Sequence, residues 1–404
     1  MEDRFAPPAR FEAAGDQLHE LVAGLADSAE FGGDEYRWGL RALLQSMDYD
    51  PVFSERGRRI AWGEVISALS ARAQALKSMA QHPGFDTCPT PGPVVITGIP
   101  RTGTTALHKL LAVDPQFQGL QSWLIGAPMP RPPRDTWESH PLFQLAVERL
   151  NRRFAAIPGK RAAHNTIAEE VDECCLVMRP LFCSNIWTCA WSAASYDAWW
   201  QTQSELPSYR YLRRNLQLIG GGEPKKRWLL KNPGHIANLD LLFEVFPDAM
   251  VIQTHRDPAK AIPSLCALLM QSHSVVEVGR EQLRAHIMGY RETAKWAKAV
   301  RDAEAVRTKR RAQIMDVLHG DFHRDPLRIV KRIYAFLDLQ LAPQVEADMT
   351  TRIADAPELK FGQHRYEVAD FGLTEDEIRE RFGAYVDRFD LRPDRPARLR
   401  AVKS

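Results

Sequence analysis

Apolar positions recur every three to four residues from the start of the chain to about residue 85. Phe11, Leu18, Leu21, Val22 and Leu25 share one helical face; Leu40, Leu43 and Leu44 share another. Trp62 to Met79 is an alanine-rich amphipathic stretch. The pattern predicts a helical cap over residues 1–88, ended by the punctuated linker PGFDTCPTPGP. The period then changes. VVITG is a short apolar run of the buried-strand kind, and TTALHKLL after it returns to helical spacing. DPQFQGLQSW can return a second short strand, and APMPRPPRD is too rich in proline for a helix or a central strand, which suggests a lid. Leu142 to Leu218 is mainly helical and rich in tryptophan, which reads as an aromatic core, with a pocket for a hydrophobic acceptor as the alternative.

The alternation resumes with RWLLK, a strand ending in Lys231, then the helix IANLDLLFEVF, then the strand AMVIQTH, which runs into Arg256. Asp257 is placed as an N-cap and Pro258 as the first helical residue of the next helix. A charged helix from about Arg280 to Thr308, a strand in QIMDVLHGDF and a helix capped by Asp325 follow. Thr374 and Glu377 form a capping box for the last helix. Strand and helix in turn predict an α/β fold. It has a P-loop-like parallel sheet flanked by helices, with the helical region added at the N-terminus, and one main domain over residues 89–404.

Composition narrows the picture without naming a ligand. Of 404 residues, 45% are hydrophobic and 26% charged, and the formal charge is +2, which gives no reason to expect a nucleic acid partner. The six cysteines are scattered and fit reduced thiols in a cytoplasmic setting. The first residues lack the basic start and apolar core of a secretory signal, and no apolar run reaches the ~18 residues needed to span a bilayer.

The candidate chemistry starts in GIPRTGTT. Gly98 and Gly103 have P-loop spacing, but Thr104 and Thr105 follow where a nucleotide kinase has Lys and Ser or Thr. A helix start with free amides and hydroxyls is an anion site, and here the positive charge comes from Arg101 within the loop. The later strands end in Lys231 and Arg256 rather than in a magnesium-binding aspartate. Cations there repel a divalent metal and suit a bare anion. In a parallel sheet all three groups fall at one edge, where ligands collect.

GIPRTGTT, then LLKNP, then THRDP with Ser264 eight residues after Arg256, resembles the sulfotransferase family, whose donor is 3′-phosphoadenosine 5′-phosphosulfate (PAPS). The arginine in the loop is similar to that of tyrosylprotein and bacterial members. Ordered resemblance runs from Val94 to Met270, and the tail GQHRYEVADFGL resembles bacterial members; the N-terminal helices contribute no motif to the resemblance. The resemblance implies that Arg101, Thr102, Gly103, Thr104 and Thr105 hold the 5′-phosphosulfate. It also implies that Arg256 and Ser264 bind the 3′-phosphate, that Lys231 acts at the sulfuryl group, and that PAP is the product, without metal. It further places Arg365 in the donor site, although by composition alone Lys360, His364 and Arg365 read as a solvated cluster.

The proton acceptor departs from the family pattern. Cytosolic members place a histidine two residues after the lysine, where this chain has Pro233; tyrosylprotein members place a glutamate where this chain has Gln121. His235 is then the first choice, close to Lys231 in sequence. Glu170 is second, one helical turn before Cys174, with His164 behind it and Glu169 beside it; His108, mid-helix, reads as structural. The expected activity is sulfuryl transfer to a hydroxyl of a small, hydrophobic acceptor. A kinase-like phosphotransferase and a catalytically silent PAP-binding protein are the alternatives.

Overall fold

Five short apolar runs pair into one sheet in the computed structural model, which describes residues 5–156, 166–355 and 366–392. They are β1 (Val94–Gly98), β2 (Phe117–Gly119), β3 (Arg227–Lys231), β4 (Met250–His255) and β5 (Ile314–Leu318), in the order β2-β3-β1-β4-β5 with every pair parallel. Strands β1 to β4 are buried on both sides because successive residues feed opposite layers, while the edge strand β5 is partly exposed. Val94, Ile96, Leu229 and Ile252 face one cluster, while Val95, Trp228, Leu230 and Val251 face the other.

The helices that position the site are α1 (Gly15–Ala26), α2 (Arg37–Tyr49), α3 (Glu55–Gln81), α4 (Thr104–Leu111), α5 (Leu206–Ile219), α6 (Leu239–Val245), α7 (Pro258–Val276), α8 (Glu281–Lys309), α9 (His319–Arg324), α10 (Pro326–Phe336) and α11 (Pro343–Asp355). Helices α4, α10 and α11 cover one face of the sheet, and α5 to α8 cover the other. The chain leaves β1 for β2 and β3 on one side, then for β4 and β5 on the other. The crevice between β1 and β4 is therefore a topological switch point, where such sheets bind ligands beyond their carboxyl ends.

Helices α1 to α3 share a third core with Phe182, Trp187, Trp191, Tyr196 and Trp200. The tryptophan-rich segment is thus packed inward against the N-terminal helices, as the aromatic-core reading expects. Two glycines allow the close approach. A Cβ on Gly39 would stand 2.2 Å from the carbonyl oxygen of Phe182, and one on Gly57 would stand 1.8 Å from that of Val276. Gly57→Ala is expected to lower Tm by about 5 °C through overpacking against α7. An unchanged melting curve would show that this seam is not formed.

The proline-rich segment is not a lid. Arg131 donates to the carbonyl of Gly119 (2.6 Å) and to the side chains of Gln118 and Gln121 (3.1 Å each), and its amide donates to Ile219 O at 3.0 Å. The segment closes the open edge of β2, which would otherwise present unpaired backbone groups. Among the described residues, no helix is long and apolar enough to cross a membrane.

Candidate active site

The turn from β1 into α4 is shaped by two glycines. Gly98 has φ 142°, and a Cβ there would meet Thr254 O of β4 at 2.4 Å, so only glycine lets the strand end this close to its neighbour. Gly103, φ 89°, turns the chain into α4. Between them Arg101 is itself left-handed (φ 68°), a conformation that costs an ordinary residue about 1 kcal/mol. The guanidinium of Arg256 donates to Arg101 O at 2.8 Å and holds that conformation. Thr102 is buried, with its hydroxyl hydrogen-bonded to Ile99 O (2.7 Å) and to Thr254 Oγ1 (2.6 Å). Its hydroxyl is used inside the loop and does not face the crevice as the resemblance implies. The start of α4 itself, at Thr104 and Thr105, keeps its outward-pointing amides.

Arg101 and Arg256 converge from the two sides of the crevice. Arg101 Nε donates to Ser264 Oγ (3.1 Å) on α7. Both guanidiniums are largely buried, and burial pushes both below the usual arginine range; the charge of Arg256 adds to the effect on Arg101. Among the described residues, no carboxylate lies in ion-pair distance of either. Asp257, the nearest acid in sequence, caps α7 through the amide of Ala259 (3.0 Å) and is held by Arg379 at 2.8 Å. Two partly buried cations side by side, with Asp257 acting on Arg256 only from beyond ion-pair distance, form an arrangement that suits an anion. Tyr366, within the tail motif, acts electrostatically on both. His164, Arg365, Lys360 and His364 lie outside the described residues.

Lys231 ends β3 and is almost entirely buried. Its ammonium donates to Thr105 Oγ1 at 3.1 Å, so it stands at the mouth of α4. Its ion-pair partner is Glu173, a residue the sequence reasoning passed over. Val171 pairs with Gln121 just past β2, and the amide of Asp172 donates to Leu120 O at 2.8 Å. This lays the segment along the sheet edge. Glu173 then takes the N-cap position of the short helix Cys174–Met178 and remains partly exposed. The available signal was that position: an acid directly before an apolar helical turn, three residues past the acid that was chosen.

Glu170 is committed elsewhere. It is paired with Lys109 (2.6 Å) and Arg352 (3.1 Å), and Lys109 sits one turn deeper along α4 than Thr105. Glu169 bonds Arg134 on the outer surface at 2.7 Å. His235 is placed against the core with no exposure, its Nδ1 bonded to Tyr209 OH at 2.7 Å, and burial pulls it down to about 3. It sits in the short 3-10 turn Pro233–Asn238 with its ring against Tyr209 and fully buried, so closeness to Lys231 in sequence does not become exposure to the crevice. His108 is also buried, near Leu229 O (3.4 Å), and burial and Lys231 lower it to about 3.

These histidines are neutral when folded, so their stabilising contribution is present above the unfolded value near 6.5 and is lost as pH falls from there toward about 3. His235→Gln is expected to flatten the acid-side fall in Tm while leaving kcat within about threefold of the parent. A kcat loss of two orders of magnitude with normal donor affinity would restore His235 as the base.

A model of the Sulfotransferase family matches residues 93–343. Among solved structures, sulfotransferase STF1 from Mycobacterium tuberculosis H37Rv is 35% identical with a TM-score of 0.83, covering 92% of this chain and 99% of that one. Sulfotransferase STF9 from Mycobacterium avium is 26% identical with a TM-score of 0.85, covering 96% and 98%. A curated relative from Mycobacterium bovis and Mycobacterium tuberculosis, omega-hydroxy-beta-dihydromenaquinone-9 sulfotransferase Stf3, is 26% identical over 324 residues, which is 76% of this chain and 78% of the relative.

Proposed function

Because the chain belongs to the sulfotransferase family, we propose that the β1–β4 crevice takes PAPS and passes its sulfuryl group to a hydroxyl of a largely apolar acceptor. The observation that carries this is the pair Arg101 and Arg256, partly buried together and lacking a carboxylate in ion-pair distance among the described residues. Arg256 and Ser264 would receive the 3′-phosphate. Arg101 and the α4 amides from Gly103 to Thr105 would receive the 5′-phosphosulfate. We infer further that residues 1–88 are a cap seated on a sulfotransferase domain of residues 89–404, which the shared aromatic core supports.

In this reading Lys231 and Glu173 are the reacting pair. The acceptor oxygen bonds to sulfur as the bond from sulfur to the 5′-phosphate oxygen breaks, and the hydroxyl proton passes to the Glu173 carboxylate. Lys231 and the α4 dipole meet the charge that builds on the leaving oxygen, which is where fixed positive charge lowers the barrier most. Positioning and fixed charge suffice, so the transfer needs no metal. The ion pair between Lys231 and Glu173 is the resting arrangement that the two substrates open.

Leu176, one turn past Glu173, and Ala267, one turn past Ser264, are apolar and only partly buried, consistent with a hydrophobic acceptor side. The hydroxylated menaquinone in the relative's name supports the same class. The test is transfer of labelled sulfate from PAPS, with EDTA present, to a panel of hydroxylated prenylquinones, long-chain alcohols and simple phenols. Labelling of the long apolar alcohols supports the proposal. Dependence on a divalent metal would sink the metal-free mechanism, and preference for small polar phenols would sink the acceptor class.

A further inference from the structure

Beyond the residues that carry the transfer, the donor loop has a histidine pair as its neighbour. His255 of β4 is in register with Leu318 of β5, so Arg256 and His319 leave the sheet side by side. His319 opens α9, and one turn later His323 stacks on it, with ring centroids 3.9 Å apart and planes at 30°. The stack stands over the donor loop: a Cβ on Gly103 would lie 3.4 Å from His319 and 3.5 Å from His323. His323 Nδ1 is bonded to His319 O at 3.0 Å, which fixes the second ring at an exposed position.

Resting on the donor assignment above, we propose that His319 and His323 form a proton-linked part of the donor site, the pair taking up a proton as the phosphates of the nucleotide enter beside Arg256. With no anion present, a charged His319 is opposed by its burial, by Arg256 and by His323, which together hold it down to about 3. The acids on the adjoining elements do not offset this. Asp321 is paired with Arg324 (3.0 Å), and Asp325 caps α10 through the Arg328 amide (3.0 Å). Burial opposes the charge whether or not a ligand is present, but a phosphate placed against Arg256 turns the repulsion from that side into attraction and so raises the His319 value. The sign follows from linkage: a group whose value rises on binding takes up protons, so affinity increases as pH falls through the bound-state value.

The test is calorimetric titration of PAP into the full chain between pH 6 and 8, in two buffers of different ionisation heat. Parent, His319→Asn and His323→Gln proteins are compared, so that titration of the nucleotide's own phosphates cancels. The expected result is net proton uptake by the parent and an affinity about tenfold tighter at pH 6 than at pH 8, relative to His319→Asn. His323→Gln, at an exposed position, should lose part of the uptake and guards against misfolding at His319. PAP binding with the same proton count in all three proteins overturns the proposal while leaving the donor site intact. Failure of the parent to bind PAP at any pH removes the donor assignment and this inference with it.

Discussion

Glu173→Gln is expected to lower kcat by roughly 100- to 10,000-fold while the KM for PAPS changes by less than about threefold. The amide is nearly isosteric and can still accept a hydrogen bond from Lys231, so the loop before Cys174 should hold its place. What it cannot do is take the acceptor's proton. The distinguishing readout is the pH profile. If Glu173 is the base, the acid limb of the parent's kcat profile should vanish in the variant, whereas a purely structural role would lower Tm and leave the limb in place. A variant with near-parental turnover would return the proton to another group.

Arg256→Ala is expected to weaken PAP binding by about 100-fold or more, because a charge-assisted contact to phosphate in a low-dielectric site is worth about 3 kcal/mol. Two effects act in the same direction. The direct contact is lost, and so is the hydrogen bond that holds Arg101 in its left-handed conformation. Arg101→Ala removes the charge but keeps a Cβ at the left-handed position, and its loss should fall mainly on the chemical step at about 3–4 kcal/mol. The two variants therefore separate by parameter: donor affinity for Arg256, kcat for Arg101. Equal effects of both on affinity alone would place Arg101 on the 3′-phosphate rather than beside the sulfuryl group.

The parts of this site legible in the sequence are those built locally. The strand–turn–helix at Gly98 to Thr105, the strand end at Lys231 and the Asp257 cap after Arg256 each depend on a few adjacent residues, and the structure forms each at its expected position. Glu173 was missed because its partner lies 58 residues away, and because its position is set by a bridge to the end of β2 that no periodicity reveals. His235 was favoured for the opposite reason. It is near Lys231 in sequence, but a 3-10 turn points it at Tyr209 in the core. The proline-rich segment carries an unhelical, unsheetlike composition whether it closes a pocket or an edge, and only the bonds of Arg131 to β2 decide between them. The tryptophans carried the same ambiguity between core and pocket, and the N-terminal helices resolve it for Trp187 and Trp191.

The central claim is that the β1–β4 crevice is a metal-free site for a 3′-phosphorylated adenine nucleotide. Its most direct test is the affinity of the chain for PAP against AMP, measured by calorimetry with EDTA present. The two ligands differ only in the phosphate assigned to Arg256 and Ser264. The account predicts one site that binds PAP at least about 100-fold more tightly than AMP. Equal affinities, or tight PAP binding that appears only when magnesium is restored, would contradict it.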